Sequence, residues 1–323
     1  MKNLLILLAK IGLALGGLAF GYRLLVERGV DQTIARGGDL ALLALALAII
    51  PALILALRFQ LVLRMWELRI SLKDAVRIHL QSLFYMFFMP VSVGMEVSRF
   101  AKTRHLLPEG SGTALATALV FDRILGLVFY ILIAMALFPF VTLQRELTLF
   151  GVTLDLSTGI AWAAPGVVVA MLVVIWVAWR RGLFDKLREM APRMAPALRD
   201  HLGTLAWATL ASLAGTMGLM CMLYLAALGF GVPVTFLDLA FIFTGGSLFA
   251  IIPITVVGVT AAEMGSMALY LLMGVPEAQA ALMVGMGYAV RLLYALYGGV
   301  AELAHGGWGL FKAHLEGRKD VEP

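Results

Sequence analysis

The chain has 323 residues, 62% of them hydrophobic and 14% charged, with a mean hydropathy of +0.95. A soluble domain carries about 25% charged residues and a membrane barrel reads as short alternating segments, so this composition excludes both and predicts an all-α, polytopic membrane protein. The net charge of +5 does not point to nucleic acid, because the basic residues sit between apolar runs, where they act as topology signals.

A spanning helix needs about 20 apolar residues. Six segments qualify: roughly Leu4–Leu24, Leu40–Leu57, Thr113–Phe138, Ile160–Trp179, Leu205–Phe230 and Ala278–Leu303. The first has Lys10 inside it and no clear small-residue cleavage site, so it reads as a retained helix and not a signal peptide. Its Gly12/Gly16 and Gly17/Gly21 spacing suits close helix packing or a homodimer contact. Two further apolar regions are interrupted. One runs from about Ala75 to Leu107 and breaks at Pro90 to Gly94; the other runs from about Leu239 to Met273 and breaks at Pro253 to Gly258. Each half is roughly 11–15 residues, about 16–22 Å as helix, too short to span. Proline ends the preceding helix in each, and freed backbone at membrane depth must be buried in protein or line a wet cavity.

Loop charges favour re-entrant hairpins over broken crossings. Arg58, Arg64, Arg69, Lys73 and Arg77 precede the first break, and Arg99, Lys102 and Arg104 follow it. A hairpin keeps both clusters on one side, as the positive-inside rule requires. The Pro139–Gly159 loop, with only Arg145, is then outside, and the Arg180–Arg199 loop, with six Lys/Arg, is inside. Gly231–Asp238 and Gly274–Glu277 carry no Lys or Arg and are outside; Lys312, Arg318 and Lys319 place the tail inside. Both termini are predicted cytoplasmic. The result is a single membrane domain over 1–305 with a short tail, 306–323. It divides into a first repeat of about 1–140 and a second of about 158–305, of opposite orientation. Inverted repeats are a common build for secondary transporters, with the site near the midplane.

Local sequence repeats the same order. Pro90, Gly94 and Glu96 are echoed by Pro253, Gly258 and Glu263, and each set is followed by an arginine deep in the next span, Arg123 and Arg291. An arginine at the bilayer centre costs roughly 2.5–3.5 kcal/mol on the insertion scale and must face a partner or a cavity. A half-helix starting after each glycine would aim free N–H groups at an anion there. Thr260 to Glu263 fits a capping box. Glu96 lies three residues before Arg99, on one helical face. Asp122 cannot face Arg123, its neighbour, so Arg99 or Lys102 is its expected partner. The lone Cys221 excludes an internal disulfide, and the five scattered histidines give no metal-ligand spacing. No cofactor is implied, and no nucleophile–base spacing suggests an enzyme.

The stretch Pro90-Val91-Ser92-Val93-Gly94-Met95-Glu96-Val97-Ser98-Arg99, with Ala116 through Arg123, resembles one family's first-half signature. Ile252 through Glu263, Gly274-Val275-Pro276 and Ala280–Arg291 resemble the second. The family is the lysylphosphatidylglycerol synthase transmembrane domain, also called flippase-like, and the likeness covers nearly the whole chain. Two details depart from it: Asp122-Arg123 stands where Glu-Arg is expected, and a less glycine-rich run precedes Glu263. The resemblance implies lipid translocation, in some members joined to a cytoplasmic aminoacyl transferase. Fewer than twenty residues follow His305, so that transferase is expected to be lacking and synthase activity is not carried over. The expected function is movement of an anionic phospholipid or polyprenyl-phosphate-linked lipid across the cytoplasmic membrane. Arg99, Arg123 and Arg291 would bind the headgroup, with Glu96, Asp122 and Glu263 orienting them. The alternative is an ion-coupled small-solute transporter of the same architecture, using the three carboxylates.

Overall fold

The structure, a computed structural model, describes residues 31–88, 93–141, 146–149, 152–155, 180, 182, 192, 194–251, 255–256 and 259–304. Among them, four helical stretches are long and apolar enough to cross a membrane: Gly37–Met65, Gly112–Phe140, Leu202–Gly229 and Glu277–Glu302. They match four of the six predicted spans. The other two, Leu4–Leu24 and Ile160–Trp179, lie outside the described residues, as do Pro90, Pro253 and Gly258.

The first stretch comprises α1 (Asp31–Leu47) and α2 (Ile49–Met65), separated at Ala48. Pro51 explains the interruption, since its ring crowds the Leu47 carbonyl one turn back and it has no N–H to donate. The Tyr294 hydroxyl donates to the Ala48 carbonyl at 2.6 Å and closes the gap. The predicted end at Leu57 is too early, and Arg58 is not a loop charge: the helix continues to Met65 and carries Arg58 inward.

The interrupted regions form two helix pairs. In the first, α3 (Leu72–Phe88) and α4 (Val93–Arg104) pack on each other. Arg99 touches His79, twenty residues earlier. In one continuous helix those residues would be about 30 Å apart, so the chain doubles back. Gly94 is inside the first turn of α4, so the helix starts before the glycine and not after it. Glycine at that point has helical geometry open to it. In the second pair, α7 (Phe236–Leu248) is extended by a 3-10 turn, Phe249–Ile251, and α8 is Ala261–Leu272. Their crossing brings Gly245 to Leu269, Gly246 to Ser266 and Phe249 to Gly265, so they run in opposite directions. Two long helices follow the pairs, α5 (Gly112–Leu137) and α9 (Glu277–Ala304), and α6 is Leu202–Gly229.

The architecture is helical but not purely so. Two short antiparallel ribbons occur among the described residues: β1 (Glu146–Leu149) with β2 (Val152–Asp155), and β3 (Thr255–Val256) with β4 (Val259–Thr260). The second ribbon lies at the predicted break. Pairing Thr255 with Thr260 and Val256 with Val259 lets backbone freed from helix bond to itself, which an apolar setting demands.

Small residues fix the helix crossings. The α1–α2 stretch runs antiparallel to α6, with Gly37 on Gly229, Pro51 on Gly218 and Leu55 on Gly215. A Cβ on Gly37 would lie 1.6 Å from the Gly229 carbonyl oxygen, so backbone meets backbone there. Gly298 of α9 does the same on α3: its Cβ would lie 2.2 Å from the Leu80 carbonyl oxygen. Gly298→Val is therefore expected to destabilise by about 1–3 kcal/mol, the usual cost of overpacking. A drop in the unfolding midpoint in detergent checks this; an unchanged midpoint would contradict so close a crossing.

Apart from α1 on α6 and α9, and α2 and α5 on α6, the helix contacts fall into corresponding sets. In the first half α2 meets α3 and α5, α3 meets α4, and α4 meets α5; in the second α6 meets α7 and α9, α7 meets α8, and α8 meets α9. Across the halves, α3 packs on α9 and α5 on α7.

Candidate functional site

Among the described residues, three polar clusters lie within this apolar framework. The largest is held by α2, α3, α4 and α5. Asp122, 1% exposed, faces two guanidiniums. Arg58 Nη2 donates to its Oδ2 at 2.8 Å, and Arg58 Nε lies 2.8 Å from Oδ1. Arg99 Nη1 donates to the same Oδ2 at 3.2 Å. Arg99 is itself 1% exposed. Its other amino group, Nη2, donates to His79 Nδ1, which requires that nitrogen to be unprotonated. The guanidinium carbon sits 5.0 Å from the centre of the Phe59 ring, where the negative ring face attracts it. Gly126, one turn beyond Asp122, leaves room for Arg58: a Cβ there would come within 3.2 Å of Arg58 Nη1.

Glu96 joins this cluster from the first turn of α4. Its Oε1 accepts from Arg123 Nη1 at 3.1 Å and lies 3.9 Å from Arg99 Nη1. Glu96, Arg99, Asp122 and Arg123, all read from the sequence, are thus brought together. The expected choice between Arg99 and Lys102 as the Asp122 partner resolves to Arg99. Arg58 adds a second partner from 64 residues upstream.

In the second cluster α8 and α9 repeat the Glu96–Arg123 arrangement. Glu263, in the first turn of α8, forms an ion pair with Arg291. The capping box at Thr260 is present: Thr260 N–H and hydroxyl donate to Glu263 Oε2 at 2.6 and 2.5 Å, and Ala262 N–H donates to Thr260 Oγ1 at 3.2 Å. Glu263 therefore both caps its helix and holds Arg291, which also donates to Thr260 Oγ1 at 3.4 Å.

The third cluster joins the halves. Lys102 Nζ donates to both oxygens of Glu302, at 2.9 and 2.8 Å, and the Tyr85 hydroxyl donates to Glu302 Oε1 at 3.0 Å. The ammonium also lies 5.6 Å over the Tyr85 ring. So Lys102 belongs to Glu302 and not to Asp122. Sequence reasoning passed over Arg58, His79 and Glu302. Arg58 and Glu302 each interrupt an apolar run and were findable by that signal. His79 has none, since a single histidine in a helix pattern is usually core.

A sequence profile described as the lysylphosphatidylglycerol synthase TM region matches residues 7–298. The chain belongs to this family. No curated protein and no solved structure matches it. As a member of the lysylphosphatidylglycerol synthase transmembrane family with membrane-length helices, it is a multi-pass membrane protein tied to lipid handling. Among the described residues, no group of three His, Cys, Asp or Glu side chains could hold a metal ion.

Proposed function

We propose that this protein is a lipid translocase of the cytoplasmic membrane, carrying a lipid with an anionic phosphate headgroup between two inverted repeats. The observation that carries the proposal is the paired construction of Glu96–Arg123 and Glu263–Arg291. Each glutamate stands in the first turn of the second helix of a doubled-back pair, and each arginine stands in the long helix that follows.

Packing supports the repeat. Exchanging α2, α3, α4 and α5 for α6, α7, α8 and α9 maps the corresponding contacts described above onto themselves. α3 on α9 becomes α7 on α5, while α2 on α6 maps to itself. Contacts agree in detail. Leu80 meets Gly298, and the Tyr130 and Phe243 rings meet at 5.8 Å. Leu80 and Phe243 are separated by the same interval as Pro90 and Pro253; Tyr130 and Gly298 by the same interval as Arg123 and Arg291. The matched α2 and α6 run antiparallel, as spans of opposite orientation must. The helix pairs would then be re-entrant from opposite sides, with both termini cytoplasmic, and the cycle would rock one repeat against the other.

Charge favours an anion. Across the three clusters, Arg58, Arg99, Lys102, Arg123 and Arg291 face Glu96, Asp122, Glu263 and Glu302. Arginines gathered within an apolar framework draw a phosphate, because guanidiniums match its oxygens. The test uses Arg123→Ala and Arg291→Ala, with flipping of fluorescent phosphatidylglycerol measured in proteoliposomes. Each is expected to slow flipping about tenfold, equivalent to about 1.4 kcal/mol. Wild-type rates in both would sink the proposal.

A further inference from the structure

We infer that His79 is a proton-binding site coupled to the anionic headgroup: Arg99 holds its Nδ1 lone pair, and a proton takes that lone pair when substrate draws Arg99 away. The inference rests on the proposed translocase reading and adds to it the ion that travels with the lipid.

His79 is buried in α3. Arg99 Nη2 donates to its Nδ1, and Arg99 Nη1 donates to Asp122 Oδ2 at 3.2 Å, so one guanidinium bridges an imidazole and a carboxylate. A guanidinium has no lone pair to offer, so Nδ1 is the acceptor and the ring hydrogen stands on Nε2. One ring lone pair binds one hydrogen. Nδ1 therefore holds the Arg99 N–H or a proton from solvent, and the two states exclude each other. Protonation makes both ring nitrogens donors, breaks no covalent bond and leaves Arg99 Nη2 in need of another acceptor. A phosphate oxygen is such an acceptor.

The surrounding charges tie the two events together. Arg99 of α4 and Arg58 of α2 act on the ring directly. Asp122 of α5 and Glu96 of α4 meet it through Arg99, and Arg123 of α5 is held to Glu96. Lys102 of α4 is bound to Glu302 of α9, as is Tyr85 of α3, and Arg291 of α9 is bound to Glu263. On its own helix, Asp74 pairs with Arg77 and Lys73 is exposed. A proton added with Arg99 in place would be a third cation beside Arg58 and Arg99. With Arg99 drawn onto a phosphate, the imidazolium instead replaces it opposite Asp122. A proton and a singly charged headgroup together add no net charge, so neither is left as an uncompensated buried ion. Each then favours the binding of the other by the same factor.

The cluster is built to re-pair. Among the described residues, Arg99 Nε lacks an acceptor while Asp122 Oδ1 and Glu96 Oε2 lack a hydrogen bond, so donors and acceptors are both left for a second arrangement. Side-chain exposure rises from Arg99 at 1% through Glu96 at 21% to Arg123 at 45%, which opens the cluster to the surface on the Arg123 side. The device also occurs once. By the intervals that relate Leu80 to Phe243, Glu96 to Glu263 and Arg123 to Arg291, the counterparts of His79, Arg99 and Asp122 are Ile242, Ser266 and Val290. The glutamate–arginine pairs stand in both halves without needing this trio in the second, so the trio serves a separate step.

The experiment counts protons taken up on binding, with the protein purified in maltoside, in weak buffer with a pH indicator. The probe is dihexanoyl phosphatidylglycerol. Its phosphodiester stays singly charged between about pH 5 and 8, the range in which histidine titrates, so uptake belongs to the protein. Wild type is expected to take up about one proton per lipid bound, and its affinity to rise about tenfold per unit fall in pH where uptake is complete. In His79→Asn an amide oxygen takes the place of Nδ1, accepting from Arg99 without accepting a proton, and uptake is expected to fall to near zero. A merely structural histidine would alter affinity and leave the uptake in place. His79→Gln, also an acceptor without a proton site, replaces His79→Asn if that variant does not fold. Where neither variant folds and binds, the wild-type profile decides: uptake within the histidine range supports the site. Wild type binding lipid with no uptake anywhere in that range overturns the proton site and leaves the translocase reading intact. Uptake that persists in a folded, binding His79 variant assigns the proton to another group, such as Glu96, and overturns it too. No binding of the lipid by wild type overturns the reading on which the inference rests.

Discussion

Arg99→Lys is expected to abolish measurable lipid flipping and to destabilise the folded protein by about 1–3 kcal/mol, the cost of leaving a buried polar group without its hydrogen bond. Lysine keeps the charge, so the prediction isolates shape. The guanidinium of Arg99 meets Asp122 on one amino group and His79 on the other, lies over Phe59, and stands near Glu96. Those partners come from α5, α3, α2 and α4 itself. A planar fork satisfies them together; a point ammonium on a flexible stem cannot. Lysine would leave His79 or Asp122 short of a donor in a site that water does not reach. The measurements are the unfolding midpoint in detergent and flipping in proteoliposomes, with Arg58→Lys alongside. Among the carboxylates of the described residues Arg58 meets Asp122, and it keeps 12% side-chain exposure, so its conservative change is expected to cost less. Equal, small effects of both changes would show that Arg99 does not organise the cluster.

Membrane helices were legible because apolar length is a local property. The helix pairs were legible because Pro90 and Pro253 interrupt otherwise continuous runs, and the Thr260–Glu263 cap because its chemistry spans four residues. The Glu96–Arg123 and Glu263–Arg291 pairs were legible as candidates because each half recorded the same order. Arg58 was misread because its meaning depends on Asp122, 64 residues away. Without that carboxylate, an arginine at the end of an apolar run is a boundary marker; with it, the helix continues and the arginine turns inward. Glu302 stands out as a charge in an apolar run, but its partner Lys102, 200 residues earlier, does not follow from that signal. The start of α4 before Gly94 was not legible either, because proline fixes where one helix stops and leaves open where the next begins.

Glu302→Gln is expected to open the end of the protein where the two halves are tied together. Lys102, Tyr85 and Glu302 form a bridge from the first helix pair to the last helix, and Gln81 adds a hydrogen bond to the Ala301 carbonyl at 3.2 Å. The matching positions in the other half carry nothing of the kind. Ala134 stands where Glu302 would, by the interval that relates Arg123 to Arg291, and Leu269 stands where Lys102 would, by the interval that relates Glu96 to Glu263. Where α5 and α7 meet across the halves, Phe138 and Phe241 approach to 6.2 Å. One end is thus closed by charge and the other by aromatic packing. Separating the charged end requires exposing or re-pairing Glu302, which is 8% exposed; separating the aromatic end costs only apolar contact in a lipid setting. In the proposed translocation cycle the bridge biases the resting state, and neutralising Glu302 is expected to shift the balance about 10-fold or more, since loss of one partner of a buried hydrogen-bonded pair costs about 2–5 kcal/mol. Spin labels at Leu106 and Val300, both exposed, with Cys221 replaced by serine, would report the separation. Glu302→Gln should lengthen and broaden that distance. The reversed pair, Lys102→Glu with Glu302→Lys, should return it toward wild type, because the attraction survives when its signs are exchanged. An unchanged distance in Glu302→Gln would show that the bridge is passive packing and that the halves are held elsewhere.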